Sequence, residues 1–215
     1  MPQFKFAVYD LDMTLIDSIV PLMTSSNQLA KEFGLREVTY EEVYRAEVGV
    51  PNCTLESLWT DLWGHYDPAW LEAYFDHMTE IEYQAMCLYP SGLETLETIR
   101  ALNIPQGLAS NRVSPMEALK CIGIDHFFQA VVGTGDVGGK SKPAPDVVIR
   151  ALEILGAPPE ETLYICDSLG DLTAAAGAGV RTFSVTTGGH TAEELKEAGA
   201  YRTGESLIEA VEFFR

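Results

Sequence analysis

Phe6-Ala7-Val8-Tyr9-Asp10-Leu11-Asp12 is an unbroken apolar run that stops at two carboxylates two positions apart. A continuous apolar run of this length fits a strand covered on both faces, as in a parallel sheet, better than the alternating pattern of a half-exposed strand. The same punctuation recurs downstream. Gly107-Leu108-Ala109 stops at Ser110, Ala130-Val131-Val132 at Gly133, and Leu163-Tyr164-Ile165-Cys166 at Asp167. A fifth run, Arg181-Thr182-Phe183-Ser184-Val185, precedes Thr186-Thr187-Gly188-Gly189. Helical spacing appears between the runs, in Leu93, Leu96, Ile99 and Leu102, and again in Val147, Val148, Ala151, Leu152 and Leu155. Strands alternating with helices predict an α/β fold with a doubly wound, Rossmann-like parallel-sheet core.

The stretch 17–87 breaks this rhythm. It is too long for one crossover and reads as helical throughout. Leu55, Leu58, Trp59, Leu62 and Trp63 form one amphipathic stripe, and Leu71, Tyr74, Phe75, Met78 and Ile81 a second. Asp17 and Ser18 are placed to cap a first helix running to Phe33, with Gly34 ending it. Tyr89-Pro90-Ser91-Gly92 marks the return. The expected organisation is therefore a core of residues 1–16 and 88–215, interrupted by an all-helical domain at 17–87.

Composition bounds the function. The 215 residues are 47% hydrophobic, enough for a sizeable core. No apolar run approaches the roughly 18 residues of a membrane span. Met1-Pro2-Gln3-Phe4 leads directly into a strand pattern, without a basic segment followed by a long apolar one, so a soluble, cytoplasmic protein is expected. With 14 basic against 32 acidic side chains, the net charge of -18 disfavours nucleic acid and anionic membranes as partners. Cys53, Cys87, Cys121 and Cys166 lie far apart and are expected to be reduced, packed thiols.

In open α/β sheets the functional crevice lies beyond the carboxyl ends of the strands. The residues that end the apolar runs should converge there: Asp10 and Asp12, Ser110 and Asn111, Asp167 and Asp171. Lys142 joins them from Lys140-Ser141-Lys142-Pro143-Ala144-Pro145-Asp146. Four carboxylates in one crevice repel one another, and a hard cation with oxygen ligands relieves that repulsion. Such a cation also screens the approach of a phosphate dianion. One of the first two carboxylates can attack phosphorus while the other handles the leaving-group proton.

These residues resemble the motifs of the haloacid dehalogenase superfamily. Asp10-Leu11-Asp12-Met13-Thr14-Leu15 looks like its D-x-D-G-T-[LV] motif, and Ser110 matches its second motif. Lys142-Pro143-Ala144-Pro145-Asp146 is similar to K-P-x-P-[DE], and Asp167-Ser168-Leu169-Gly170-Asp171 to G-D-x-x-x-D. Met13 and Cys166 stand where that pattern usually has glycine. The resemblance implies that Asp10 is nucleophile and metal ligand, and that Asp12 is general acid and base with its backbone carbonyl on Mg²⁺. It implies phosphate or substrate binding by Thr14, Ser110, Asn111 and Lys142, and metal binding by Asp167 and Asp171. The insertion resembles the helical cap of the phosphoglycolate-phosphatase-like branch. That branch implies a Mg²⁺-dependent phosphatase for a small phosphorylated metabolite, working as monomer or homodimer.

Blander roles compete at several positions. Asp171 can cap the helix Leu172–Ala178, and Lys140 lies two residues from Lys142. Arg45, in Tyr44-Arg45-Ala46-Glu47-Val48-Gly49-Val50-Pro51-Asn52, can pair with a substrate carboxylate or solvate a helix end. Trp59, Trp63 and Trp70 read as core of the helical domain. His65, His77, His126 and His190 share no ligand spacing. Rival activities are a phosphomutase of the β-phosphoglucomutase type, a pyrophosphatase and a nucleotidase. A non-enzymatic phospho-accepting signalling domain is disfavoured by the helical insertion and by Asp12.

Overall fold

The computed structural model describes residues 3–48, 53–75 and 79–215. The chain divides into two compact units, one formed by Met1–Ile16 with Leu88–Arg215 and the other by Asp17–Cys87.

The first unit holds a parallel sheet. Its strands are β1 (Phe6–Tyr9), β2 (Gln106–Ala109), β3 (Ala130–Val132), β4 (Thr162–Cys166), β5 (Arg181–Val185) and β6 (Arg202–Gly204). They are ordered β3-β2-β1-β4-β5-β6, and every neighbouring pair is parallel. The five apolar runs all became strands. β6 was not foreseen, because Arg202-Thr203-Gly204 is a short polar edge strand with no apolar run to reveal it.

The second unit carries α1 (Ile19–Phe33), α2 (Tyr40–Glu47), α3 (Leu55–Trp63), α4 (Pro68–Ala73) and α5 (Thr79–Ala85). Asp17, not Ser18, caps α1: its Oδ1 accepts the Ile19 N–H at 3.0 Å, and the helix ends at Gly34 in the left-handed conformation, φ 69°. Leu58, Trp59 and Leu62 of the first stripe are buried. The second stripe is broken. Asp67 and Pro68 start α4 and turn Trp70 and Tyr74 inward onto Trp59, leaving Phe75 67% exposed. Met78, His77 and residues 49–52 lie outside the described residues.

In the first unit, α6 (Gly92–Ala101), α7 (Pro115–Cys121), α8 (Asp146–Leu155), α9 (Leu169–Ala178) and α10 (Ala192–Glu197) accompany the strands. Val147, Val148, Ala151 and Leu152 of α8 pack with Leu172, Ala174 and Ala175 of α9. They meet one sheet face through Val8, Ala109, Val132, Tyr164 and Cys166. Burying one such aliphatic side chain contributes about 1.5–3 kcal/mol, so this layer fixes where the strand ends lie. Cys166 is packed as expected; Cys87 and Cys121 are exposed, and all four thiols are free. Among the described residues no helix is long and apolar enough to cross a membrane.

Candidate active site

Sheet order places the crevice. From β1 the chain winds outward through β2 and β3, then returns to the other side of β1 with β4, so the two halves diverge at the end of β1. Asp10 sits at that point, its N–H bonded to the Ile165 carbonyl at 2.9 Å. The next residues fold tightly: the Leu11 carbonyl accepts N–H groups from Leu15 at 2.9 Å and Ile16 at 3.0 Å. Met13 closes this loop with φ 59°, a left-handed conformation that disfavours a side chain by about 1–2 kcal/mol. A side chain thus stands at position 13 in a conformation that favours glycine. The strained peptide is held by Thr187, whose hydroxyl donates to the Met13 carbonyl.

Asp10, Asp167 and Asp171 are buried and each offers a carboxylate oxygen within 4.8 Å of the others. Lys142 Nζ pairs with Asp10 Oδ1, lies 2.6 Å from Asp171 Oδ1, and donates to Tyr164 Oη at 3.1 Å. Tyr164 in turn donates to Asp171 at 2.8 Å. Lys140 is turned outward and pairs with Asp146 at 2.6 Å. Asp171 serves twice. It closes a capping box with Ser168 at the start of α9, which begins at Leu169 rather than Leu172, and it presents its other oxygen to the cluster. Thr14 is buried and donates to Asp167 Oδ1 at 2.5 Å, so its hydroxyl orients that carboxylate.

Electrostatics in this cluster are unbalanced. Burial, and then the neighbouring Asp171 and Asp12, raise Asp10 to about 7 against the pull of Lys142. Burial raises Asp167 well above the usual carboxylate range, and Asp171 and Asp10 add to it. Burial also opposes ionisation of Asp171, but the charge of Lys142 and hydrogen bonds from Lys142, Ser168 and Tyr164 outweigh it and hold that group low. Three carboxylates against one lysine, with oxygen donors only, fit a hard divalent cation. A carboxyl whose folded value is raised contributes stability that is full below its unfolded value, near 3.8, and is lost as pH rises through about 7. Cation binding to the ionised cluster opposes that loss. The rise in Tm produced by saturating Mg²⁺ should therefore be larger at pH 8 than at pH 5; an equal rise at both would contradict this assignment.

A cavity of about 160 Å³ lies over the cluster, lined by Asp10, Asp12, Asn111, Lys142, Asp167, Ser168, Gly170 and Asp171. Ser110 is fully buried, its Oγ accepting the Arg112 N–H at 3.1 Å. The Asn111 side chain is engaged with the main chain of Lys142, its Oδ1 accepting the Lys142 N–H at 2.7 Å. The amide therefore ties the lysine loop to the end of β2, and what Asn111 offers the cavity is its place on the wall. Arg45 belongs to the other unit, where it is exposed and 3.5 Å from Glu41.

Three partners escaped the sequence reading. Arg112 grips Asp12, with Nε at 2.9 Å from Oδ2 and the NH2 nitrogen at 2.7 Å from Oδ1. Tyr164 lies within an apolar run, yet a phenol on a buried strand needs a polar partner. Gly188 lies so close to Asp167 that a Cβ there would stand 1.8 Å from its Oδ2. The clustered Thr186-Thr187-Gly188-Gly189 after β5 was the available signal for this last contact.

Residues 7–185 match the haloacid dehalogenase-like hydrolase family. Phosphoglycolate phosphatase of Aquifex aeolicus is 30% identical over 180 residues, covering 83% of each chain. That of Vibrio parahaemolyticus is 29% identical over 97% of this chain and 95% of its own. A haloacid dehalogenase-like hydrolase of Bacteroides fragilis superposes with a TM-score of 0.74 at 28% identity, covering 96% of this chain and 99% of that one. A match over most of the chain, with its carboxylates gathered at the end of β1, means that this protein belongs to the haloacid dehalogenase-like hydrolase family.

Proposed function

We propose that this protein is a Mg²⁺-dependent phosphatase that hydrolyses a small phosphorylated metabolite resembling phosphoglycolate, through an aspartyl-phosphate on Asp10. The observation that carries this reading is the burial of Asp10 against Lys142, Asp167 and Asp171 beneath a cavity. The Asp10 carboxylate attacks phosphorus and Lys142 attracts the phosphate oxygens. The Ser110 hydroxyl and the Asn111 N–H, at the end of β2, receive them. Asp12 gives a proton to the leaving oxygen and then takes one from water. Mg²⁺ held by Asp10, Asp167, Asp171 and the Asp12 carbonyl would neutralise charge on the transferring group.

Phosphoglycolate phosphatase is the name borne by both bacterial relatives above, which supports a small, carboxylate-bearing substrate. The helical unit 17–87 serves as a cap that sets substrate choice, with Arg45 as its cation for a substrate carboxylate. A cytoplasmic monomer or homodimer goes with this reading.

A screen of phosphorylated acids, sugars and nucleotides with Mg²⁺ tests it. Stoichiometric phosphate release, highest on a small phosphorylated acid and abolished by chelation, is expected. Undiminished release in excess chelator would overturn the metal requirement. Isomerisation of a sugar phosphate without net release would favour the mutase.

A further inference from the structure

We infer that Arg112 is the positioning residue for Asp12, holding its carboxyl group in the orientation that proton transfer needs; this rests on the reading of Asp12 as the acid–base group. The guanidinium meets the carboxylate as a fork. Nε lies 3.1 Å from Oδ1 and 2.9 Å from Oδ2, and the NH2 nitrogen lies 2.7 Å from Oδ1. Two adjacent donors on one carboxylate fix its plane as well as its distance, which a point charge cannot do.

The arm that presents the fork is itself anchored. The Arg112 N–H is bonded to Ser110 Oγ at 3.1 Å, and the Arg112 carbonyl accepts the Thr134 N–H at 2.9 Å. The turn presses against Gly133, where a Cβ would stand 2.5 Å from the Arg112 carbonyl oxygen. Its main chain thus follows Ser110 on one side and the end of β3 on the other. With side chains only 22% and 33% exposed, the fork is little screened by water and holds the carboxylate firmly. Orientation is where such a contact has leverage, because a small misplacement of a reacting group can cost about 10²-fold in rate.

The proton steps define the readout. In the first, an Asp10 oxygen bonds to phosphorus and the bond to the leaving oxygen breaks. That oxygen keeps the electron pair, takes the Asp12 proton and departs as the alcohol. In the second, a water oxygen bonds to phosphorus while Asp12 takes the water proton. The bond to Asp10 then breaks, returning its carboxylate and releasing phosphate. A nitrophenolate leaving group needs no proton, so only its second step depends on Asp12.

The test compares an alkyl and a nitrophenyl phosphate with Mg²⁺, using wild type, Arg112→Ala, Arg112→Lys, Asp12→Asn and the double variant. Arg112→Ala should lower turnover of the alkyl ester about 10²-fold while slowing the nitrophenolate burst less than about tenfold. Arg112→Lys should recover only part of the loss. Added guanidinium ion should restore activity to Arg112→Ala but not to Asp12→Asn. In the Asp12→Asn background, removal of Arg112 should add nothing further. A nitrophenolate burst that falls as far as alkyl-ester turnover, or an Arg112 effect that persists in full without Asp12, would overturn the inference alone. An Asp12→Asn variant indifferent to the leaving group would overturn the acid–base reading and this inference with it.

Discussion

Asp10→Asn is expected to abolish turnover on every substrate, a loss on the order of 10⁶-fold when a covalent nucleophile is removed. The variant keeps the shape of the side chain and loses only its charge and nucleophilicity. Unfolding will not explain the result. The fold already disfavours the ionised form, raising Asp10 to about 7 chiefly by burial, so a neutral isostere relieves strain in the cluster. The Tm of the metal-free variant should equal or exceed that of wild type at pH 8. Asp12→Asn should behave differently, losing about 10²–10⁴-fold on alkyl esters while still accepting phosphate from an activated aryl ester. Burst and steady-state assays on both esters separate the two roles; a variant lacking Asp10 that turns over either ester at more than a trace would contradict the assignment.

Gly188→Ala should disable the enzyme from outside the predicted motifs. The added methyl would stand 1.8 Å from Asp167 Oδ2 and 2.6 Å from its Cγ, so the carboxylate and the Gly188 turn must move apart. Displacement would break the Thr14 hydrogen bond at 2.5 Å and pull one corner from the three-carboxylate cluster. Changes that disturb metal ligands through their supports typically cost about 10–100-fold in affinity, and moving the ligand itself should cost more. Calorimetric titration with Mg²⁺ is expected to show at least about 100-fold weaker binding, with activity falling in parallel. Unchanged affinity would mean that Asp167 does not hold the cation.

Much of this was readable in the chain because each chemical group punctuates an apolar run. Asp10, Ser110 and Asp167 follow β1, β2 and β4, and strand order carries them to one edge. Lys142 could be preferred over Lys140 only through its resemblance to a motif; the structure shows Lys140 on Asp146 and Lys142 among the acids. What escaped was pairing between remote segments. Arg112 and Asp12 are 100 residues apart, and Tyr164 meets Lys142 across 22. The stripe from Leu71 to Ile81 misled for a different reason. Helical spacing does not say which of two adjacent faces is inward, and the aromatic cluster on Trp59 drew in Trp70 in place of Phe75. β6 left no trace because an edge strand need not be apolar.

The central claim is that phosphate passes through a covalent bond to Asp10. It is tested most directly by rapid-quench mass spectrometry of Asp12→Asn mixed with a nitrophenyl phosphate and Mg²⁺, where attack is retained and the water step is slowed. One phosphoryl group on the peptide carrying Asp10, formed with the burst of nitrophenolate and absent from the Asp10→Asn protein, is the predicted result. Release of nitrophenolate with no phosphoryl group on that peptide, or with one on Asp12 of the wild-type protein, would contradict it.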